Sequence, residues 1–213
     1  MMKKGGLAKR YREMKPQVES RLAHFRGVGK MGGKRLFEEL AFCILTPQSK
    51  ARSCDLAVKK LAGSGLLFKG GERQMAAVLA RHTRFHNNKA KYLAEARGKL
   101  SQGGFAPLVK LTFCGSEKGA REKLVREVKG LGFKEASHYL RNVGRGRTVA
   151  ILDRHVLKNL AACGAIPSMP ESLTPRKYLE IEGQMGHFCR KTGVPLAHLD
   201  LIFWAEETGE IFK

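Results

Sequence analysis

Apolar residues recur at three- and four-residue steps along most of the chain. The runs are Val18, Leu22 and Phe25; Leu36, Leu40, Cys43 and Ile44; a stretch from Ala51 to Leu61; Met75, Val78 and Leu79; Ala90, Leu93 and Ala94; and Ala120, Leu124 and Val128. They continue with Ala136, Tyr139, Leu140 and Val143; Val156, Leu157, Leu160 and Ala161; Tyr178, Ile181, Met185 and Phe188; and Leu196, Leu199, Ile202 and Phe203. This period gives each segment one apolar face of an α-helix, so about ten helices are expected. No stretch alternates long enough to pair as strands, and the predicted class is all-α.

Breakers punctuate the pattern. Pro16 is expected to interrupt any helix in the basic segment 1–16, and Gly27-Val28-Gly29 to end the next one. Gly29–Lys34 reads as a loop, and the helix through Ile44 stops before Pro47 because a residue preceding proline avoids helical angles. Gly63–Gly71 and residues 101–118 read as connectors, Asn87 as a helix cap, and Pro167, Pro170 and Pro175 as linker punctuation. Thr148–Leu152 is apolar but too short to assign, and Pro195 opens the last helix.

Composition changes the picture in one respect. A formal charge of +21 and a pI near 10.1 exceed what solubility requires and point to a polyanion partner. No apolar run approaches the roughly 20 residues that span a bilayer. Met1-Met2-Lys3-Lys4 leads into no signal-peptide core, so the expectation is a soluble intracellular protein with no membrane partner. Cys43, Cys54, Cys114, Cys163 and Cys189 are scattered and lack any C-x-x-C pair, which suits buried thiols in a reduced compartment.

The candidate chemistry lies in Val128-Lys129-Gly130-Leu131-Gly132-Phe133-Lys134 and the helix that follows. Two glycines around one apolar residue predict helix, tight hairpin, helix, with Gly144 at the C-terminal end. Free N–H groups of the hairpin and of the next first turn suit a phosphate oxygen, which makes Lys129, Gly130 and Gly132 candidate DNA contacts. Lys134 starts that helix. It reads as a phosphate-contacting lysine, or as an amine nucleophile whose ammonium form the helix dipole and Lys129 disfavour. Asp153 reads as an N-cap, a role that coexists with stabilising a nearby cation.

The GLGFK segment followed by LDRH, with nineteen positions from Lys134 to Asp153, resembles the helix-hairpin-helix DNA glycosylases with lyase activity. The string KEASHYLRNVG…ILDRH, together with ILTPQSKA at 44–51, RFHNNKAKYL at 84–93 and FWAEETGEIFK at 203–213, resembles the archaeal 8-oxoguanine DNA glycosylase/AP lyase family. The resemblance implies a two-lobed fold, with 28–147 as central lobe, 1–27 plus 148–213 as the other, and DNA in the cleft between them. It also implies a bifunctional enzyme acting on double-stranded DNA containing 8-oxoguanine, with Lys134 as nucleophile and Asp153 assisting. Gln48 would fill the space left by the flipped nucleotide, beside Ser49. Arg84, Lys89 and Lys91 form a basic turn around Phe85 suited to gripping DNA or stacking a base, though core packing explains Phe85 nearly as well.

Trp204 reads as a core tryptophan or, as the resemblance implies, a platform for the extruded purine; His138 is a DNA-side or structural residue, and His155 is read likewise. Lys213 is expected to help recognise the damaged base, because burying Ile211 and Phe212 at about 1.5–3 kcal/mol each would dock the tail beside the pocket. Some relatives carry an iron–sulfur cluster on four close cysteines; Cys189 has no such neighbours, so no cofactor is expected. The expected setting is a cytoplasmic, nucleoid-associated monomer. Two alternatives stay open: a glycosylase of this architecture for another damaged base, and a non-catalytic helix-hairpin-helix module.

Overall fold

The computed structural model describes residues 6–213; residues 1–5 of the basic segment 1–16 lie outside the described residues. Among the described residues there are twelve helices and no strand. In order they are α1 (Leu7–Gly29), α2 (Gly33–Leu45), α3 (Ala51–Gly63), α4 (Leu66–Lys69), α5 (Glu72–Leu79) and α6 (His86–Leu100). Then come α7 (Gln102–Phe113), α8 (Glu117–Glu127), α9 (Phe133–Asn142), α10 (Arg154–Ala162), α11 (Pro175–Thr192) and α12 (Leu196–Thr208).

Several breaker readings are corrected. Pro16 lies inside α1 rather than ending a helix. A mid-helix proline costs about 3 kcal/mol. The stripe Leu7, Met14, Val18, Leu22, Phe25 and Val28 is buried, and at about 1.5–3 kcal/mol per side chain it outweighs that cost. The loop expected over Gly29–Lys34 shrinks to 30–32, because α2 already starts at Gly33. Residues 101–118 contain α7, and Gly63–Gly71 contains α4. Asn87 does not cap α6; Phe85 holds that place in the left-handed region, at φ 56 and ψ 38. Pro175 is the first residue of α11, where its missing N–H costs nothing.

The buried side chains form two clusters. One runs from Leu36 to Val149 over α2–α9; the other joins α1 (Leu7 to Phe25) to the segment from Ala150 to Ala205. The chain crosses between them at Val149–Ala150, in the irregular stretch before α10. A buried ion pair also spans them. Both terminal guanidinium nitrogens of Arg121 (α8) donate to Glu182 (α11), at 2.5 and 2.9 Å, while Glu182 also accepts the Ala150 N–H. The first residue of α9 and the rest of it differ in partners: Phe133 packs against the second cluster, whereas Ala136, Tyr139 and Leu140, with Val143 just past the helix end, belong to the first.

Candidate functional site

A cleft of about 780 Å³ opens where these clusters meet. Its walls come from the α2–α3 turn (Thr46, Gln48, Ser49), the α5–α6 turn (Arg81 to Arg84), the start of α9, the start of α10, one face of α12, and Lys213. Lys134 and Asp153 both line it. So do Gln48, Ser49, His138, His155, Trp204 and Lys213 from the sequence reading.

The hairpin delivers Lys134. Gly130 has φ 85, and a Cβ there would come 2.7 Å from the Tyr92 ring, so both backbone and neighbour require glycine. Leu131 is buried and anchors the turn. Gly132 precedes α9, with its N–H donated to Glu135 Oε2 at 3.2 Å. Glu135 Oε1 is the carboxylate oxygen next to the Lys134 ammonium, 3.6 Å away, while Lys129 is paired with Glu95 at 3.2 Å. Lys129, Gly130 and Gly132 are not part of the cleft lining; they form the turn that leads into it. Asp153 is the N-cap of α10, accepting the Val156 N–H at 2.8 Å through Oδ1.

Two partners of this pair had no signal in the sequence. Asp200 on α12 is buried in the cleft wall and its carboxyl is pushed up to about 6. Burial is the main cause and the Asp153 charge adds to it, while Arg141, 3.4 Å away, acts against both. Arg141 is itself buried over the Phe25 ring, its centre 4.9 Å from the ring centroid. Residues 141 and 200 lie too far apart in sequence for any spacing rule to join them.

His138 is buried edge-on to Phe42, with ring centroids 5.5 Å apart. Its imidazole is held well below its ordinary value. Burial is the first cause, followed by Arg141, Lys134 and Lys213, and contact with the Lys213 backbone opposes them without forming a hydrogen bond at either ring nitrogen. Trp204 stands perpendicular to His155 at 5.3 Å, and its indole N–H is buried without a partner. Buried polar atoms normally find partners. Arg141 Nε and Nη1 are likewise buried without a partner, and three such side chains lining one cleft mark a place for a polar ligand.

The C-terminal segment is tied down at each residue. Glu210 pairs with Arg52, and the Ile211 carbonyl accepts from Arg21 at 3.2 Å. Ile211 packs on the second cluster and Phe212 on the first. The Lys213 ammonium donates to Asp55 at 2.8 Å and Glu39 at 3.0 Å and sits 4.7 Å from the Phe42 centroid. Two of its three protons are thus committed to buried carboxylates, and it fastens the tail into the wall.

Phe85 lies outside the cleft lining, 53% exposed, with the Arg84 guanidinium 5.7 Å from its ring. Lys89 corrects the basic-turn reading: it is buried and points into backbone carbonyls instead of solvent. Lys50, Arg81, Arg84 and Arg154 are the exposed cations of the lining, with no ion pair among the described residues. Four cysteines are buried and Cys114 is exposed; burial pushes the Cys43, Cys54, Cys163 and Cys189 thiols up. Among the described residues no group of three or more His, Cys, Asp or Glu could hold a metal ion, and no helix is long and apolar enough to cross a membrane.

The comparisons with known proteins agree with one another. A family model described as 8-oxoguanine DNA glycosylase matches residues 18–194. An 8-oxoguanine DNA glycosylase/AP lyase of Fusobacterium nucleatum is 40% identical over 211 residues, spanning 97% of this chain and 96% of that protein. One from Methanocaldococcus jannaschii is 35% identical over 201 residues, 94% of each chain. A crystal structure of a Methanocaldococcus jannaschii 8-oxoguanine glycosylase/lyase with 15mer DNA containing 8-oxoguanine superimposes with a TM-score of 0.85 at 34% identity, covering 97% of this chain and 99% of that one. The 8-oxoguanine DNA glycosylase of Thermotoga maritima gives 0.85 at 32% identity, covering 97% and 96%.

Proposed function

The chain belongs to the family of 8-oxoguanine DNA glycosylases, and from that membership we propose that it excises 8-oxoguanine from double-stranded DNA and cleaves the strand at the resulting abasic site. A stacked base hides its glycosidic bond, so the nucleotide swings into the cleft at a cost of a few kcal/mol. The neutral amine of Lys134 attacks C1′ as the base leaves with the bonding electrons. The carboxylate of Asp153 stabilises the positive charge that develops on the sugar. Loss of a proton from nitrogen and opening of the ring give a Schiff base between Lys134 and C1′. That cation acidifies C2′; removal of its proton expels the 3′ phosphate and breaks the strand. This chemistry calls on no metal or redox group.

The observation that carries these roles is that Lys134 and Asp153, nineteen positions apart, line one cleft beside unpartnered polar atoms of His138 and Trp204. The two cores support reading 28–147 as one lobe and 1–27 with 148–213 as the other, with DNA lying across the cleft mouth and Lys129, Gly130 and Gly132 on its backbone. Gln48 then occupies the vacated stack, Trp204 faces the extruded purine, and Lys213 fixes the tail that closes the pocket. A net charge of +21 supports a nucleoid-associated place in the cytoplasm, acting as a monomer. The test is borohydride trapping on a duplex containing 8-oxoguanine. Wild type gives a covalent complex; Lys134→Gln gives none while keeping duplex affinity within about threefold, because one cation among many is lost. Undiminished trapping by Lys134→Gln removes it as the nucleophile, and no trapping by wild type leaves a binding module.

A further inference from the structure

Lys89 is nearly fully buried, 4% exposed, and no carboxylate pairs with it among the described residues. Its ammonium instead spends all three protons on the α2–α3 turn: Leu45 O at 2.7 Å, Pro47 O at 2.8 Å and Ser49 Oγ at 2.9 Å. Burial holds its pKa below the ordinary lysine value. Ser49 Oγ also accepts the Arg84 N–H at 3.0 Å, and the Ser53 hydroxyl donates to the His82 carbonyl at 2.8 Å. The α2–α3 and α5–α6 turns, on one wall of the cleft, are thus joined around a single ammonium.

Each joined turn holds one residue in an unusual backbone state. Gln48 has φ 54 and Phe85 has φ 56, both in the left-handed region that side chains other than glycine seldom enter. Such conformations persist where the surroundings over-determine them. Here the surroundings are the Leu45 and Pro47 carbonyls before Gln48 and the Ser49 hydroxyl after it, all bound by the Lys89 ammonium, and the Phe85 carbonyl, which accepts the Lys89 backbone N–H at 3.0 Å. Both side chains are exposed and free to meet a duplex.

We propose that Lys89 is a positioning residue for base extrusion: its buried ammonium fixes the Thr46–Ser49 turn in the strained shape that drives Gln48 into the DNA stack. This rests on the reading of Gln48 as the residue that fills the vacated space. A fixed wedge matters most when a paired base must be displaced, and least when the base is already unpaired or missing.

The test is a double-mutant cycle of Lys89→Met and Gln48→Ala, read in single-turnover assays. The substrates are 8-oxoguanine in a fully paired duplex, 8-oxoguanine in a three-nucleotide bubble, and a pre-formed abasic site. Lys89→Met should lose about tenfold or more on the paired lesion and under threefold on the other two, since unpairing is the step that needs the wedge. The double variant should be no worse than Gln48→Ala, because one residue acts through the other. If Gln48→Ala shows no selective loss, the wedge reading fails, and the inference with it. If Gln48→Ala shows it and Lys89→Met lowers all three rates equally, Lys89 is structural only and the inference alone is overturned. Should Lys89→Met fail to fold, Ser49→Ala removes the acceptor that joins the two turns and should show the same selectivity at smaller size; an equal loss on all substrates there overturns the proposal.

Discussion

Replacing Lys213 by methionine keeps an unbranched apolar stem, one atom shorter, and removes the charged end of the side chain. The ammonium lies between Glu39, 1% exposed, and Asp55, 7% exposed. Breaking a buried pair by removing one partner costs about 3–5 kcal/mol when the other is left bare. Neither carboxylate is left bare here. Glu39 keeps Arg35 at 2.7 Å and Asn142 at 3.1 Å, and Asp55 keeps Lys59 at 2.8 Å. The expected loss is therefore nearer 2 kcal/mol. For a chain of this size that lowers the melting temperature by about 4–8 °C. The function falls more selectively than the stability. The tail that Lys213 anchors lines the cleft with Trp204 and Asp200, whereas the Lys134 chemistry at an abasic sugar needs no base pocket. Single-turnover excision of 8-oxoguanine should drop about tenfold or more, with cleavage at a pre-formed abasic site reduced less than threefold, as expected when one element holds the base and another does the bond-breaking. Equal losses on both substrates, measured well below the melting temperature, would refute the idea that the tail serves recognition.

Three further outcomes follow from the same geometry. Asp153→Asn should melt within about 2 °C of wild type, since asparagine caps as well as aspartate, yet lose about 10²-fold or more in excision; a loss no larger than the change in stability would make the carboxylate only a cap. Asp200 has its folded pKa raised to about 6 against an unfolded value near 4, so the folded state binds the extra proton between those values and wild-type stability falls as pH rises through that window. Asp200→Asn lacks this dependence, and its stability relative to wild type, from urea melts, should improve by about 2–3 kcal/mol between pH 4 and pH 7; a pH-independent difference would contradict the assignment. Binding to undamaged duplex should weaken with a log–log salt slope of about −3 to −4, from the four exposed cations of the cleft lining, and a slope near zero would exclude a backbone-tracking cleft.

The parts of this fold that could be read from sequence are those specified by local chemistry. Gly130 and Gly132, the Asp153 cap and the apolar faces of α2, α9, α10, α11 and α12 each depend on neighbours within a few positions. The misreadings have one cause. Gly103, Gly104 and Pro107 look like a connector, but Gly103, Gly104 and Phe105 form the left-handed turn, with φ 53, 69 and 70, and Pro107 falls in the first regular turn after it. Phe105 and Leu108 then carry α7 into the first core. The burial of Lys89 has no local signal either: its acceptors at 45 and 47 are backbone carbonyls, and no residue type announces where a carbonyl will point.

The site sits where it does because two cores share one helix and one crossing. α9 faces the first cluster with Ala136, Tyr139 and Leu140, while its first residue, Phe133, packs on the second. Lys134 is next to that switch. Asp153 follows the crossing at Val149–Ala150 by only a few residues, and Glu182 holds the crossing by its Ala150 N–H while pairing with Arg121 across the seam. The tail repeats the pattern, with Ile211 on one core and Phe212 on the other. Under the proposed mechanism, a flipped nucleotide would thus meet Lys134, Asp153 and the tail on elements that touch both cores. Any change in how the cores sit together would move these groups relative to one another, so the Arg121–Glu182 pair guards the geometry of the chemistry as much as the stability of the fold.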